Sequence, residues 1–324
     1  MPRSTGSTAL WRVADPNAFA ALAIDALVGW PAWLYARVGH PVGGFARLIA
    51  ACEVRWNRPA IPEARRRLSG VATLALLLAV TIGGALAVEQ AARTIAGDWW
   101  WLVAALLAWP ALAARSLYDH VRPVADALAA RDLSAARRAV AMIVGRDTAA
   151  LDEAGVARAG IESLAESFCD GVVAPLFWLL LFGLPGVWAY KAINTADSLI
   201  GHREPRWRAF GWAAARVDDV ANAIPARLAG ILLCLAGGGG WRVMWRDCRR
   251  HASPNAGWPE AAIAGALGIA LAGPVAYDGV VHDKPWIGAS GRAAGAGDLR
   301  RALAIYCRAC ALLGLIAGGV ALLW

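Results

Sequence analysis

Leu68–Val88 is a run of 21 uncharged, mostly apolar residues, and it constrains this chain more than any other feature. One helix across a bilayer core needs about 20 such residues, and a helix apolar on every face has no place on a soluble surface. Further uncharged runs follow at Trp99–Ala114, Gly171–Tyr190, Leu228–Trp241, Ala261–Tyr277 and Ala309–Trp324. A shorter stretch, Ala18–Val28, carries Asp25 within it. Composition agrees: 59% of residues are hydrophobic and only 17% charged, against roughly 25% charged in soluble domains. A disordered chain and a soluble globular enzyme are both excluded. The expected fold is all-α, a polytopic integral membrane protein with about four to six membrane segments, some broken or re-entrant. Residues 1–324 read as a single membrane domain, with a helical cytoplasmic segment over 115–170 inside it. No signal peptide is read at the N-terminus, because Arg3 is followed by polar residues and Asp15 and Asp25 interrupt any apolar region.

Positive charge beside a span tends to stay cytoplasmic. Arg55, Arg58, Arg65, Arg66 and Arg67 precede Leu68–Val88, whereas Glu89–Asp98 after it carries one arginine and is expected outside. Arg242, Arg246, Arg249 and Arg250 mark a second cytoplasmic stretch. Residues 191–227, rich in both signs, would lie outside if Gly171–Tyr190 crossed the bilayer. That run is interrupted by Pro175, Gly183, Pro185 and Gly186. We expect it to dip in and return, which bilayer physics permits where protein or water covers the backbone. The net charge of +8 comes from arginines scattered between apolar runs, which argues against a nucleic-acid partner. Only two of 32 basic residues are lysines, Lys191 and Lys284. Arginine serves wherever charge alone matters, so a surviving lysine marks a special requirement. Of six cysteines only Cys307 and Cys310 have metal-like spacing. A lone pair in an apolar helix suits interface packing better than zinc.

Clustered polar residues beside membrane segments are functional candidates by default. Glu162, Glu166 and Asp170, at i, i+4 and i+8, share one helix face. Like charges so placed repel unless a cation sits among them, and oxygen ligands suit Mg2+. Lys191, Asn194, Asp197 and Ser198 form a second group, and Arg216, Asp218, Asp219, Asn222 and Arg227 a third. A fourth runs from His251 through Ser253, Asn255 and Trp258 to Glu260, whose position near a helix start also suits a dipole cap. His282-Asp283-Lys284-Pro285-Trp286 is the fifth, and Gly145-Arg146-Asp147-Thr148 closes the long polar segment. There is no P-loop, dinucleotide fingerprint or nucleophile elbow. Such clusters suit chemistry on a phosphorylated substrate with Mg2+. Three classes stay open on residue chemistry alone: an ATP-dependent ligase, a membrane transferase acting on a diphosphate, or a transporter.

Taken in order, these pieces resemble the CobD/CbiB family of cobalamin biosynthesis, the adenosylcobinamide-phosphate synthases. The resemblance runs from Asp25 to Gly288. It is carried by Gly39-His40-Pro41-Val42-Gly43, Ile143–Thr148, Glu162 to Phe177, Tyr190 to Gly201, Ala215 to Leu228, Ser253–Ala261 and Asp283–Gly288. Two positions depart from the family pattern: Trp30 stands where an aspartate is usual, and Ser167 where an asparagine is usual. The resemblance implies an ATP-driven amide ligation joining (R)-1-amino-2-propanol, as its O-phosphate, to the free propionate of adenosylcobyric acid. ATP and Mg2+ are the expected cofactors. Residue chemistry then suggests roles within the matched blocks. Glu162, Glu166, Asp170 and Asp197 are expected to hold the metal, with Asp218 or Asp219 as a further ligand or as base toward the ammonium. Lys191, Lys284, Arg146 and Arg216 suit phosphate. Asn194, Asn222 and Asn255 suit the corrin amides, and Trp258 or Trp286 its flat face. The resemblance further implies a bacterial inner-membrane protein with its site facing the cytoplasm. The bilayer is its environment, and its protein partners are a second copy or other membrane enzymes of the pathway. The alternatives are a non-catalytic regulatory or scaffold protein and an Asp-rich diphosphate transferase. Retention of both lysines with Asp197, Asp218 and Asp219 argues against the first, and the wide spacing of the aspartates against the second.

Overall fold

A computed structural model describes residues 16–277 and 280–322. Arg3 and Asp15, used in reading the N-terminus, lie outside the described residues, as do the last two residues of Ala309–Trp324. The chain enters on α1 (Asn17–Val28) and bends by 106° into α2 (Ala32–Val38). Next come α3 (Val42–Trp56) and α4 (Glu63–Ala96), whose 34 residues contain Leu68–Val88. α5 (Trp100–Ala108) packs back on α4, with the Arg93 guanidinium 3.6 Å from the Trp100 ring centroid. At 1.5 Å per residue, α5 reaches only about 14 Å. It breaks into a 3-10 turn around Pro110, so Trp99–Ala114 does not cross a bilayer unaided.

The polar segment expected to be helical folds as α6 (Ala114–Ala129), α7 (Leu133–Ala141) and α8 (Glu153–Phe168). Asp25, which interrupts the first apolar run, is buried and starts α6. Its Oδ2 accepts from the Ala114 N–H at 2.5 Å and the Arg115 N–H at 3.3 Å, meeting donors that a helix start leaves unsatisfied. The side chains of Asp132 and Asp152 do the same for α7 and α8.

A π turn over Cys169–Val173 leads into α9 (Ala174–Ile200), which is two arms rather than one rod. A straight helix would hold Asp170 and Asn194 about 36 Å apart. Instead the Asn194 Nδ2 donates to the Asp170 Oδ2 at 3.3 Å, and the Tyr190 hydroxyl oxygen lies 3.3 Å from the Asp170 carbonyl. The reversal is at Gly183 (φ 63, ψ −150), a conformation essentially reserved for glycine. Pro185 follows it. The run therefore dips in and returns, as expected. Its tip sits beside Glu89 of α4, and its second arm ends near Phe210, whose carbonyl packs against Gly70 at the other end of α4.

α10 (Trp212–Ala221) and α11 (Ala223–Gly237) meet at a 48° bend and lead to α12 (Trp241–Asp247) and α13 (Gly257–Leu267). Here Ala261–Tyr277, one of the shorter uncharged runs, does not form a span. α13 is a buried helix of 11 residues that stops at Gly268, and Gly273-Pro274 bars any continuation. The chain continues as β1 (Leu271–Ala272), β2 (Val275–Tyr277), β3 (Val280–His282) and β4 (Trp286–Ile287). β1 pairs antiparallel with β4 (Leu271 with Ile287, Ala272 with Trp286) and β2 with β3. α14 (Ala296–Leu322) closes the bundle against α6, α8 and α11.

By length and composition three stretches can cross a membrane, Glu63–Ala129, Glu153–Ile200 and Ala296–Leu322, or up to five if each bent pair counts as one. The second of these folds back on itself at Gly183. The protein is an all-α polytopic membrane protein, and β structure among the described residues is confined to the short strands of 271–287 and an isolated bridge between Ile269 and Arg292.

Candidate active site

Two cavities meet against α8. The larger, about 460 Å3, is lined by Ser116 and His120 of α6, Ser163, Glu166 and Ser167 of α8, and Asp170, Lys191, Asn194 and Ser198. The smaller, about 320 Å3, is lined by Arg146, Glu162, His251, Glu260, Ala272 and Lys284 together with Ser163, Glu166 and Ser167. α8 is thus the shared wall, and Ile143, Ser163, Glu166 and Ser167 face both spaces. The 3.6-residue period lines up Glu162, Ser163, Glu166 and Ser167. The π turn then aims Asp170 toward α9, where Asn194 donates to it. Glu166 lies deep among Glu162, Asp197, Lys284 and Arg146, yet its side chain is open to the cavities.

Glu162 is held tightly by protein. Its Oε2 pairs with the Arg146 guanidinium, and its Oε1 accepts from the Ala272 N–H at 2.6 Å. Glu260 is 3% exposed, with its Oε1 3.6 Å from the His251 Nε2. Burial pushes the Glu260 carboxyl well above the usual carboxylate range, and Glu162 and Glu166 add to it against the pull of Arg146 and Lys284. Burial lowers the His251 imidazole, and Lys284 adds to that. Glu260 stands in the first turn of α13, as the dipole-cap reading expected, and it is also part of the cavity wall. The signal was a carboxylate inside the otherwise uncharged stretch Gly257–Leu267. Ser163 was missed as a wall residue because serine carries no chemical signature in sequence, and Ser167, which stands where the family usually has asparagine, also lines both cavities.

A buried relay supports the larger cavity. The Tyr190 hydroxyl donates to the Asn222 Oδ1 at 3.0 Å, and the Asn222 Nδ2 donates to the Asp218 Oδ2 at 3.0 Å. The Asp218 Oδ1 is buried without a hydrogen-bond partner. The Asn255 Nδ2 donates to the Asp219 carbonyl at 2.8 Å, tying the 251–256 loop to the end of α10. Asp197 lines neither cavity but lies within electrostatic reach of Glu166, Asp218 and Asp219.

Several expected contact residues point elsewhere. Arg216 is exposed on α10 and pairs with Asp219 at 3.6 Å, outside both cavities. Asn222 and Asn255 spend their amides on the protein. Trp258 is buried, edge-on to Trp245 at 5.1 Å, with Arg227 4.6 Å from its ring centroid, so no face is free for a macrocycle. Trp286 packs under the Arg158 guanidinium at 5.0 Å and lines a separate cavity of about 220 Å3.

Among the described residues no three His, Cys, Asp or Glu side chains converge to cage a metal ion. Mg2+ is usually held by one or two carboxylates, waters and substrate phosphates. Glu166 and Asp170 on the larger cavity, with the orphaned Asp218 oxygen behind them, fit that mode. A four-carboxylate cage with Glu162 does not fit, because Arg146 and Ala272 already occupy both of its oxygens.

A sequence model of the CobD/Cbib protein family matches residues 18–306. A cobalamin biosynthesis protein CobD of Rhodobacter capsulatus is 51% identical over 308 residues, covering 94% of this chain and 96% of that protein. The proteins of the same name from Sinorhizobium fredii and Rhizobium meliloti are 48% and 43% identical, each across 90% of this chain and 92% of their own length. No solved structure matches. With the family model spanning most of the chain and relatives at half identity along nearly its whole length, this protein belongs to the CobD/CbiB family and has a role in cobalamin biosynthesis.

Proposed function

We propose that this protein is an ATP-dependent acid–amine ligase, adenosylcobinamide-phosphate synthase. It would join (R)-1-amino-2-propanol O-phosphate to the free propionate of adenosylcobyric acid. The observation that carries this reading is the pair of adjoining polar cavities with Glu166 in their common wall, because a ligase must bring its acid and its amine to one point. A carboxylate cannot lose oxide to an amine. Its oxygen therefore first takes the γ-phosphoryl group of ATP, releasing ADP. The amine then attacks the acyl carbon, phosphate leaves, and the ammonium proton passes to a base.

Lys191 and Lys284 supply compact positive charge beside the phosphoryl and carboxylate oxygens. Asn194 holds the Asp170 carboxylate in position, and the Tyr190–Asn222–Asp218 relay holds the floor behind it. Asp218, behind the larger cavity, would take the proton, whereas Asp219 is paired with Arg216 outside both cavities. When bound, Mg2+ would offset negative charge among the phosphates, with Glu166 and Asp170 as its protein ligands.

The site would face the cytoplasm of a bacterial inner membrane. The second arm of α9 ends beside the Arg65–Arg67 end of α4, and positive flanks stay inside. Purified protein given adenosylcobyric acid, the amine phosphate, ATP and Mg2+ is expected to release ADP and form the amide in equal amounts. Turnover of ATP without amide, or no turnover at all, would refute the reading.

A further inference from the structure

The two cavities are walled differently: two cations face the smaller and one the larger, and each holds one more carboxylate than cations. In the smaller one the cations Arg146 and Lys284, with His251, face the carboxylates Glu162, Glu166 and Glu260. A ligand of one sign would meet as much repulsion as attraction there, whereas a small zwitterion meets a partner at each end. In the larger one Lys191 is the one lysine or arginine of the lining, beside the carboxylates of Glu166 and Asp170, and serine hydroxyls and the Asn194 amide supply most of the other polar groups. That suits the arm of a large, amide-rich ligand ending in one carboxylate, with its bulk outside the mouth. The spaces touch only along the shared wall of Ile143, Ser163, Glu166 and Ser167.

Resting on the ligase reading above, we propose that the smaller cavity is the aminoalkyl phosphate subsite. The phosphate lies against Lys284 and Arg146, and the ammonium reaches toward Glu166. The larger cavity receives the carboxylate-bearing side chain of the corrinoid beside Lys191. The new amide bond then forms at the Ser163–Glu166–Ser167 wall, where the nitrogen leaving one space meets the acyl carbon in the other. A substrate without the phosphate keeps its contact with Glu166 and forfeits those with Lys284 and Arg146. The smaller cavity is therefore also what separates the phosphorylated amine from the free one.

The test uses full-length protein in lipid nanodiscs, with KM measured separately for aminopropanol phosphate, free aminopropanol and adenosylcobyric acid. Lys284→Gln is expected to raise KM for the amine phosphate at least ~10-fold, to leave KM for the corrinoid within about twofold, and to abolish the preference for the phosphorylated amine; tenfold corresponds to about 1.4 kcal/mol. Lys191→Gln is expected to show the reverse pattern. Where a variant does not turn over, calorimetric binding of the amine phosphate and of adenosylcobyric acid, each alone, reads the same distinction. An unmoved amine term in Lys284→Gln, a moved corrinoid term instead, or joint loss of both ligands overturns the assignment while leaving the ligase reading intact. No amide from wild-type protein with either amine overturns the ligase reading and the subsites with it.

Discussion

In a chain where arginine supplies 30 of 32 basic residues, the two lysines line different cavities, Lys191 the larger and Lys284 the smaller. An arginine would carry the same charge on a broader, planar head. Displacing a bound group by about 1 Å can cost ~100-fold in rate. Lys284→Arg and Lys191→Arg are therefore each expected to lower turnover at least ~10-fold, about 1.4 kcal/mol of barrier per tenfold, with membrane insertion unchanged. The exposed Arg65→Lys should be neutral. Wild-type turnover in both lysine variants would make these positions structural. Rarity of a residue type was legible in sequence, but the surroundings of Trp258 and Trp286 were not. Trp258 keeps no free ring face beside Trp245 and Arg227, whereas Trp286 carries Arg158 over its ring and stays half-exposed on a separate cavity.

Elements are joined here by single residues that hold them in unusual paths. Gly183 reverses α9 at φ 63, and a Cβ there would also stand 3.2 Å from a Glu89 carboxylate oxygen. Gly183→Ala is expected to cost roughly 1–3 kcal/mol, read as a lower thermal midpoint in detergent. An unchanged midpoint would mean that the hairpin tip is not constrained as described. Asp247 fastens the strand region to α12. It accepts from the Gly288 N–H at 2.8 Å and pairs with Arg246 at 2.7 Å and Arg250 at 3.2 Å. The Arg246 hydrogen bond above all, then the Gly288 N–H and Arg250, hold its carboxyl below the ordinary 3.8 despite burial. A carboxylate lowered on folding stabilises fully above its unfolded value and loses that contribution as pH falls through the folded one. Asp247→Asn should thus be less stable than wild type at neutral pH, by about 1–3 kcal/mol. The gap in midpoint should close as pH drops below about 3.8. A gap independent of pH would mean that the loss is packing rather than charge.

At the scale of the whole molecule, the reversal at Gly183 decides which clusters share a face. It returns Asn194 to Asp170 and places the end of α9 beside the basic start of α4, while the Gly97–Trp99 turn lies at the opposite end. In a background with Cys307 and Cys310 changed to alanine, Asp98→Cys is expected to react on intact cells with a membrane-impermeant maleimide. Met142→Cys and Ser198→Cys should react only after the cells are opened. Labelling of Ser198→Cys from outside while Met142→Cys stays protected would place the two halves of the site across the bilayer and end the single-site account.

The apolar runs, their glycine and proline interruptions and the ordered polar blocks were all local features. They sufficed for an all-α membrane fold, a re-entrant 171–190 and a family resemblance that the comparisons bear out. Uncharged length did not decide Ala261–Tyr277, because apolar residues lining a protein core and apolar residues facing lipid read alike until neighbours are known. The division of labour among carboxylates was likewise beyond sequence. Glu162 is tied to Arg146, 16 residues before it, and to Ala272, 110 residues after it, while Glu166 one turn on is left facing two cavities. Helical spacing puts both on one face; only the partners brought by the tertiary fold decide which carboxylate is bound up and which is free to meet a substrate.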